Sequence, residues 1–370
     1  MLFSGPAFWV SFRAVLGTIH QISNLALRMF PTETGHGLAL RGLAGGFGPR
    51  ETADDFPVLD QTLFGHRFAN PVGVSAGFDK NAVAIAGVAR LGGGFVEVGG
   101  VTPLAQAGNP RPRLFRLTPD HAAINRMGFN NDGADAVLQR LTRYRREADT
   151  GHPIGVNMAA NATSGDPAQD FVDLVTAFAP AVDYLTIDVS CPNTENGQVF
   201  LEPRALENLL GRLNTARDET GAHPAMVAKL APDLEAAHLT ELIEIITAAG
   251  IDAITLCNTT TARPATLRSP HAGQRGGLSG APLFEMSNEM LRTVYQQTSG
   301  NVPLIGVGGI QTGADAYTKI RAGASLVQVY TGLVYAGPGL IQDIKRDLAA
   351  FLARDGFANI AEAVGSEHRS

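Results

Sequence analysis

Cysteine is nearly absent from this chain, and the sequence also lacks the basic stripe of a nucleic-acid-binding protein. The 370 residues include only two cysteines, Cys191 and Cys257, which cannot build the disulfide framework of a small secreted protein and suit a reducing compartment. The 29 basic residues are outnumbered by 35 acidic ones, and no basic stripe marks a nucleic-acid binder. We therefore expect a cytoplasmic protein with no nucleic-acid partner.

Other absences narrow the fold and the chemistry. No run of about 20 apolar residues is available to span a membrane, and the start of the chain lacks the pattern of a secretory signal. No cluster of metal ligands is found. The first apolar run leads into residues 75–80, SAGFDK, and this is not the GxGxxG loop of a dinucleotide-binding sheet.

The chain does contain an alternation of short apolar runs with helical patterns. The runs are residues 72–76, 95–98, 154–158, 184–189, 225–230, 253–256, 303–307 and 325–330. Near-continuous apolar strands alternating with helices are typical of a parallel sheet covered on both faces. Eight such units predict an α/β fold, the (β/α)8 TIM barrel, and 370 residues leave room for an extension.

Helices are predicted at residues 234–249, 283–298 and 313–322. In the first of them, Leu234, Leu239, Leu242, Ile243 and Ile246 share one face. Before the barrel, residues 59–64 and 66–69 flank Gly65 and predict a short hairpin that plugs the amino-terminal mouth of the barrel.

The first 45 residues differ from the rest. Large apolar residues crowd residues 3–19, with Arg13 as the only charge. This pattern fits an amphipathic helix in a membrane interface, and equally a helical hairpin that packs on the barrel. A second helix is expected after Pro31, through Leu38, Leu40 and Leu43. We expect residues 1–45 to form this extension and residues 46–370 to form the barrel.

The segment from Thr186 to Thr194 has reactive and polar side chains at the end of a predicted strand. Its β-branched run ends in Cys191, which Pro192 follows, and an amide and a hydroxyl come next at Asn193 and Thr194. The carboxyl ends of barrel strands are where catalytic residues lie. Taken alone, Cys191 is either a proton acceptor or a small buried side chain.

Seven segments occur in an order that resembles the dihydroorotate dehydrogenases. They are residues 75–80 (SAGFDK), 125–130 (NRMGFN), 190–194 (SCPNT), 229–233 (KLAPD), 258–260 (NTT), 276–280 (GGLSG) and 306–310 (GVGGI). The resemblance runs from about residue 30 to the end of the chain. Residues 31–36 (PTETGH) and 112–116 (PRLFR) are similar to the membrane-associated, quinone-linked branch.

The resemblance implies an FMN enzyme of pyrimidine biosynthesis that oxidises dihydroorotate to orotate with a quinone as acceptor. It implies peripheral attachment to the cytoplasmic side of the inner membrane through the amino-terminal helices. Cys191 would be the catalytic base, and a thiol needs little activation for that role.

The resemblance also assigns binding residues. The substrate set is Lys80, Asn125, Met127, Gly128, Phe129, Asp188, Asn193, Asn258 and Thr259. The flavin set is Ala76, Gly77, Gly100, Asn157, Asp188, Lys229, Cys257, Gly280, Gly308, Gly309, Tyr330 and Thr331. The quinone set is His36, Arg116 and Tyr330. Independently, the loops after strands seven and eight are where barrels commonly bind phosphate.

Several residues depart from the family pattern. Cys191 stands where quinone-linked members usually have Ser, and Asp188 stands where the family has an Asn that touches flavin and substrate. Ala160 replaces a Lys, Gly100 replaces a hydroxyl residue, and residues 195–198 read ENGQ in place of PGLR. Two alternatives therefore stay open: a related flavin oxidoreductase with a different ring substrate, and a barrel that binds without catalysis.

Overall fold

The computed structural model describes residues 24–148, 151–190 and 195–369. The strands are β1 (Gln61–Leu63), β2 (His66–Phe68), β3 (Val72–Val74), β4 (Phe95–Val101), β5 (Leu114–Leu117), β6 (Ala122–Asn125), β7 (Ile154–Met158), β8 (Tyr184–Asp188), β9 (Ala225–Leu230), β10 (Ala253–Leu256), β11 (Gly277–Gly280), β12 (Leu304–Val307) and β13 (Ala324–Val329). The helices are α1 (Thr32–Ala44), α2 (Ile85–Ala89), α3 (Ala134–Glu147), α4 (Pro167–Phe178), α5 (Pro203–Thr220), α6 (Ala236–Ala248), α7 (Phe284–Gln297), α8 (Gly313–Arg321), α9 (Thr331–Ala336), α10 (Leu340–Asp355) and α11 (Ile360–Ala363).

Eight parallel strands close into a barrel in the order β10-β12-β13-β3-β4-β7-β8-β9. Each of the eight predicted apolar runs supplies one of these strands, and the prediction of a TIM barrel is confirmed. The strands are buried on both faces because helices cover the outside and side chains fill the inside. Their carboxyl ends therefore all open toward the same mouth of the barrel.

The predicted helices form with nearly the expected ends. The segment 234–249 contains α6, which buries Leu239, Leu242, Ile243 and Ile246. The segment 313–322 contains α8, where the Thr312 hydroxyl accepts from the Asp315 N–H and the Asp315 carboxylate accepts from the Thr312 N–H. This reciprocal cap satisfies backbone donors that the first helical turn leaves free.

Aromatic rings fill the amino-terminal end of the barrel. β1 and β2 form the predicted hairpin, and its Phe68 ring lies 5.5 Å from the Phe95 ring in an edge-to-face contact. Glycines make space for these rings: Gly73 pairs with Phe95, and Gly155 pairs with Tyr184, on neighbouring strands. The hairpin and the rings together close this end.

A second, three-stranded antiparallel sheet was not predicted. It has the order β11-β6-β5, and its core consists of Phe115, Leu117, Ala122, Ile124 and Leu278. β11 comes more than 150 residues after β6 in the chain. The pairing places Asn125 opposite Gly277.

The helix α1 is fixed to the rest of the chain by a charged cluster. The Glu33 carboxylate accepts from the Arg113 guanidinium at 2.8 Å and from the Arg111 guanidinium at 2.9 Å. Burial raises the pKa of Glu33, but these two arginines outweigh it and hold the pKa below its usual value. The amphipathic helix expected in residues 3–19 lies outside the described residues. In the described ranges, no helix is long and apolar enough to cross a membrane.

We expect Gly155→Ala to destabilise the barrel, because a Cβ at this position would overlap the buried Tyr184 ring. Overpacking of this kind lowers the free energy of unfolding by about 1–3 kcal/mol. The matched control is Gly211→Ala in α5, where a Cβ meets nothing within 4 Å. The control should raise stability by up to about 1 kcal/mol, since alanine favours a helix. Urea unfolding of both variants makes the comparison, and equal stability of the two would contradict this account of the barrel interior.

Candidate functional site

One cavity of about 730 Å3 occupies the carboxyl-terminal mouth of the barrel. Its walls come from the barrel strand ends, from all three strands of the β11-β6-β5 sheet, and from helical residues 24–44. Every site residue predicted above that the structure describes lines this cavity. Cys191 and Asn193 lie outside the described residues. The three predicted binding sets are thus parts of one space.

Glycines shape the end of the cavity beside β12. Gly308 and Gly309 adopt φ values of +104° and +80°, and Gly280 adopts +97°. A Cβ on Gly309 would overlap the backbone of Phe284, and one on Gly308 would meet the Leu283 side chain at 3.0 Å. Backbone N–H groups can therefore approach a bound anion closely, as a phosphate site requires.

Asp188 and Lys229 face each other in the barrel mouth. They are in register on the parallel strands β8 and β9, and their carboxylate and ammonium are 4.0 Å apart. The Asn258 amide donates to Asp188 at 3.0 Å. Burial raises the pKa of Asp188, while Lys229 and nearby N–H donors oppose that rise. These partners are donors or cations and favour the ionised carboxylate, but burial outweighs them and the pKa of Asp188 stays above its ordinary value.

A second carboxylate, Glu97, lies deeper in the barrel and was missed by the sequence analysis. The Gln328 amide donates to it at 2.7 Å and the Tyr184 hydroxyl at 3.3 Å. Burial raises the pKa of Glu97, and Lys229 lowers it. Asn157 donates to the same carboxylate at 3.4 Å, so Glu97 orients one of the predicted flavin-binding amides. The available signal was a lone carboxylate inside an apolar strand.

Lys80 supplies a second cation on the other side of the cavity. Its ammonium donates to the Gly77 carbonyl oxygen at 2.7 Å. Burial and the nearby Arg113 guanidinium lower the pKa of Lys80 to about 8, although Glu33 and Asp79 partly offset this. An anionic group of a ligand beside Lys80 would raise its pKa again, because an opposite charge favours the charged form of the lysine.

Amides and a hydroxyl complete the polar part of the cavity. Asn125 ends β6 and lies opposite Gly277. The Thr259 N–H donates to the Asn258 amide oxygen at 2.9 Å, which fixes the orientation of that amide. Met127, Gly128 and Phe129 follow β6, and Gly128 and Phe129 both have positive φ values. The same region thus offers donors and acceptors to a small ring with alternating C=O and N–H groups.

The opposite end of the cavity is apolar and aromatic. The His36 ring lies 5.4 Å from Phe78 and 6.0 Å from Tyr330, and Phe78 lies 5.6 Å from Tyr330. Burial, helped by Lys80, lowers the pKa of His36 to about 4. His36 is therefore neutral at pH 7 and can donate or accept one hydrogen bond from each ring nitrogen.

Arg116 and Arg28 are charged residues in the cavity wall near this apolar end. Arg116 donates through Nη1 to the Arg28 carbonyl oxygen at 2.7 Å, and its buried Nε finds no partner among the described residues. Burial lowers the pKa of Arg116, but a guanidinium stays charged at neutral pH. The guanidinium lines the cavity, and its fixed set of N–H donors is suited to bind an oxygen acceptor from a ligand.

Comparison with known proteins agrees with this geometry. The sequence model of the family described as Dihydroorotate dehydrogenase matches residues 58–352. The chain belongs to the dihydroorotate dehydrogenase family. Its resemblance to the quinone-linked branch is confirmed by the relatives below, and enzymes of this family are flavoproteins.

Curated relatives and solved structures cover nearly the whole chain. The quinone-type dihydroorotate dehydrogenase of Rhodospirillum rubrum is 49% identical over 91% of this chain and 91% of its own length. The mitochondrial enzyme of Mus musculus is 41% identical over 100% of this chain and 96% of its own length. The structure of the Eimeria tenella dihydroorotate dehydrogenase in complex with ferulenol superposes with a TM-score of 0.89, at 36% identity, over 92% of this chain and 96% of that one.

Within this dihydroorotate dehydrogenase fold, the residues present fit a flavin mononucleotide. A side chain at Gly308 or Gly309 would collide with Leu283 or Phe284 and displace the loop that forms the cradle. A Cβ on Gly100 would lie 2.7 Å from the Phe129 ring and 3.1 Å from the Asn157 amide oxygen. The absence of a side chain at Gly100 therefore leaves room for both of these side chains. The cavity volume also falls in the range of cofactor sites.

Proposed function

We propose that this chain oxidises (S)-dihydroorotate to orotate with FMN as its cofactor and a quinone as electron acceptor, in de novo pyrimidine biosynthesis. The observation that carries the proposal is the single cavity that joins the glycine cradle, the Lys80 region and the apolar end near His36. Electrons can pass through one bound flavin between a polar substrate and an apolar acceptor only if both reach the same space.

The polar residues would bind and orient the dihydropyrimidine ring. Lys80 would pair with its carboxylate, while Asn125, Asn258 and Thr259 would bind its C=O and N–H groups, together with Asn193. The Cys191 thiolate would take the proton from C5 as the C5–C6 double bond forms. A bound FMN would supply the redox chemistry: the hydride would leave C6 for the flavin, and the two electrons, with two protons, would convert the quinone to the quinol.

The remaining residues would hold the cofactor and the quinone. Gly280, Gly308, Gly309 and Thr331 would surround the flavin phosphate, and Lys229 would face the pyrimidine edge of the flavin. His36, Tyr330 and the Arg116 guanidinium, which line the apolar end of the cavity, would bind the quinone. We propose that residues 1–45 form a membrane-associating extension on the 46–370 barrel, and that the protein is peripheral on the cytoplasmic side of the inner membrane.

The test is turnover by purified, flavin-loaded protein. Dihydroorotate should reduce the flavin, and ubiquinone-like acceptors should reoxidise it while NAD and fumarate do not. In Cys191→Ala, flavin reduction should slow by about 10²- to 10⁴-fold with flavin content intact, since a positioned general base contributes that much. Stopped-flow absorbance of the flavin gives both rates. A yellow protein that dihydroorotate does not reduce would contradict the proposed substrate, and a colourless one would contradict the flavin.

The pH dependence of kcat/KM should report the loss of the proton from Lys80. Because its pKa lies near 8, Lys80 loses its charge as pH rises through 8 and no longer attracts the substrate carboxylate. We expect kcat/KM for dihydroorotate to fall above that pH in the parent. In Lys80→Arg the fall should be absent, since a guanidinium keeps its proton there. An identical fall in both proteins would assign it to another group.

Asp188 should limit activity on dihydroorotate. The Asp188 carboxylate pairs with the Lys229 ammonium and accepts a hydrogen bond from the Asn258 amide. In Asp188→Asn the Lys229 ammonium would lose this partner, and the new amide could donate to a carbonyl oxygen of the substrate. We expect kcat/KM to rise about tenfold, the size of one added hydrogen bond to a polar ligand. The control is Asp252→Asn at the amino-terminal end of the barrel, which should leave kcat/KM unchanged. A fully active parent with a less active Asp188→Asn would show that the carboxylate itself assists the reaction.

A further inference from the structure

Lys319 is a buried cation behind the loop that follows β12. Its side chain is 0% exposed, and its ammonium donates to the Asn288 amide oxygen at 2.8 Å and to the Ser287 hydroxyl. The ammonium also lies 5.2 Å from the centre of the Phe284 ring. All three partners are neutral, and all three lie in the first turns of α7.

Lys319 lacks the counter-charge that a buried lysine usually has. Lys345, which is also 0% exposed, lies 3.7 Å from the Asp55 carboxylate and donates to the Thr52 carbonyl oxygen. In the described part of the chain, no carboxylate forms an ion pair with Lys319. Burying an unpaired charge is unfavourable, so an anion from outside the chain would stabilise this site.

Two contacts connect Lys319 with the glycine cradle. The Ser287 hydroxyl has two acceptors for its one proton, the Phe284 carbonyl oxygen at 2.9 Å and the Gly308 carbonyl oxygen at 3.2 Å. The backbone of Phe284 fills the space where a Gly309 side chain would be. In a planar trans peptide the C=O and the next N–H point in opposite directions. With the Gly308 carbonyl turned inward to Ser287, the Gly309 N–H is turned away from α7 and toward the cavity.

We propose that Lys319 is the counter-charge of the flavin phosphate and acts as a positioning residue from behind the loop. Through Ser287 it holds the Gly308–Gly309 peptide so that an N–H faces the phosphate. Its own charge stabilises the phosphate dianion across the loop, because charges interact strongly where water is excluded. The proposal rests on the FMN site proposed above.

The surroundings of Lys319 give the sign of its pH dependence. Burial lowers the pKa of Lys319 to about 8, against the opposing effects of Cys257, Asp315 and Glu285 and with a small contribution from Arg292. Carboxylates and guanidinium groups do not ordinarily titrate between pH 7 and 10, and burial raises the pKa of Cys257 to about 12. Lys319 is thus the group in this cluster that loses charge as pH rises through 8.

The experiment compares FMN with riboflavin, which has the same ring and no phosphate. Flavin is removed from the holoprotein, and the dissociation constant of each flavin is measured by fluorescence for the parent, Lys319→Met and Lys345→Met. We expect Lys319→Met to weaken FMN binding by about tenfold or more and riboflavin binding by less than about twofold. Lys345→Met should leave the ratio of the two constants unchanged, since its partner is Asp55.

Other outcomes overturn the proposal. Equal weakening of both flavins in Lys319→Met would show that Lys319 only supports the fold, and unchanged FMN binding would show that its charge is not felt at the phosphate. A parent protein that binds both flavins equally, or neither, would instead contradict the proposed FMN site. The two failures are therefore distinguishable.

A measurement on the parent alone covers the case in which Lys319→Met does not fold. The preference for FMN over riboflavin should decline as pH rises through about 8, although the phosphate is already a dianion at that pH. Lys80 titrates in the same range, but its effect on the flavin ring is common to both ligands and cancels in the ratio. A ratio that does not change between pH 7 and 9.5 would contradict the proposal.

Discussion

Parallel pairing of β8 with β9 sets Asp188 directly beside Lys229, and the electrostatics of the whole cavity depend on this contact. A closed barrel fixes the register of every strand, so neither side chain can move away from the other without disturbing the sheet. The positive charge that would otherwise face a bound ring is balanced by a carboxylate, and Glu97 balances it further from below. The charge of Lys229 is therefore offset within the barrel mouth, and among the described residues the other cations in the cavity wall are Lys80, Arg28 and Arg116.

The barrel itself was predictable from the sequence, because a fully buried strand must be apolar on both faces and a covering helix must be apolar on one. These two patterns gave the eight strands and helices such as α6 with errors of a few residues. The β11-β6-β5 sheet was not predictable in this way, since the pairing of Asn125 with Gly277 joins segments far apart in sequence. No local pattern reports such a pairing.

The site residues that belong to short motifs at strand ends could be predicted from the sequence. The residues that support the cavity wall from inside the fold could not. Gly309 and Lys80 belong to recognisable segments at strand ends. Glu97 and Lys319 lie within a strand and a helix: the lone carboxylate in the apolar strand β4 is a signal that the residue is unusual, but it does not tell which groups Glu97 contacts, and Lys319 in α8 has no comparable signal. Only the three-dimensional structure shows that Glu97 receives an amide of the cavity wall and that Lys319 lies behind the glycine cradle.

The cluster of Glu33 with Arg111 and Arg113 holds α1 against the segment that leads into β5, and none of these three residues lines the cavity. The end with Gly308 and Lys229 is made from barrel strands, which carry the overall stability. The apolar end is made from α1, the inserted sheet, and the Phe78 and Tyr330 rings that follow β3 and β13. Substitutions in α1 therefore change the cavity wall around His36, whereas the glycine loop after β12 is supported from its other side by the start of α7.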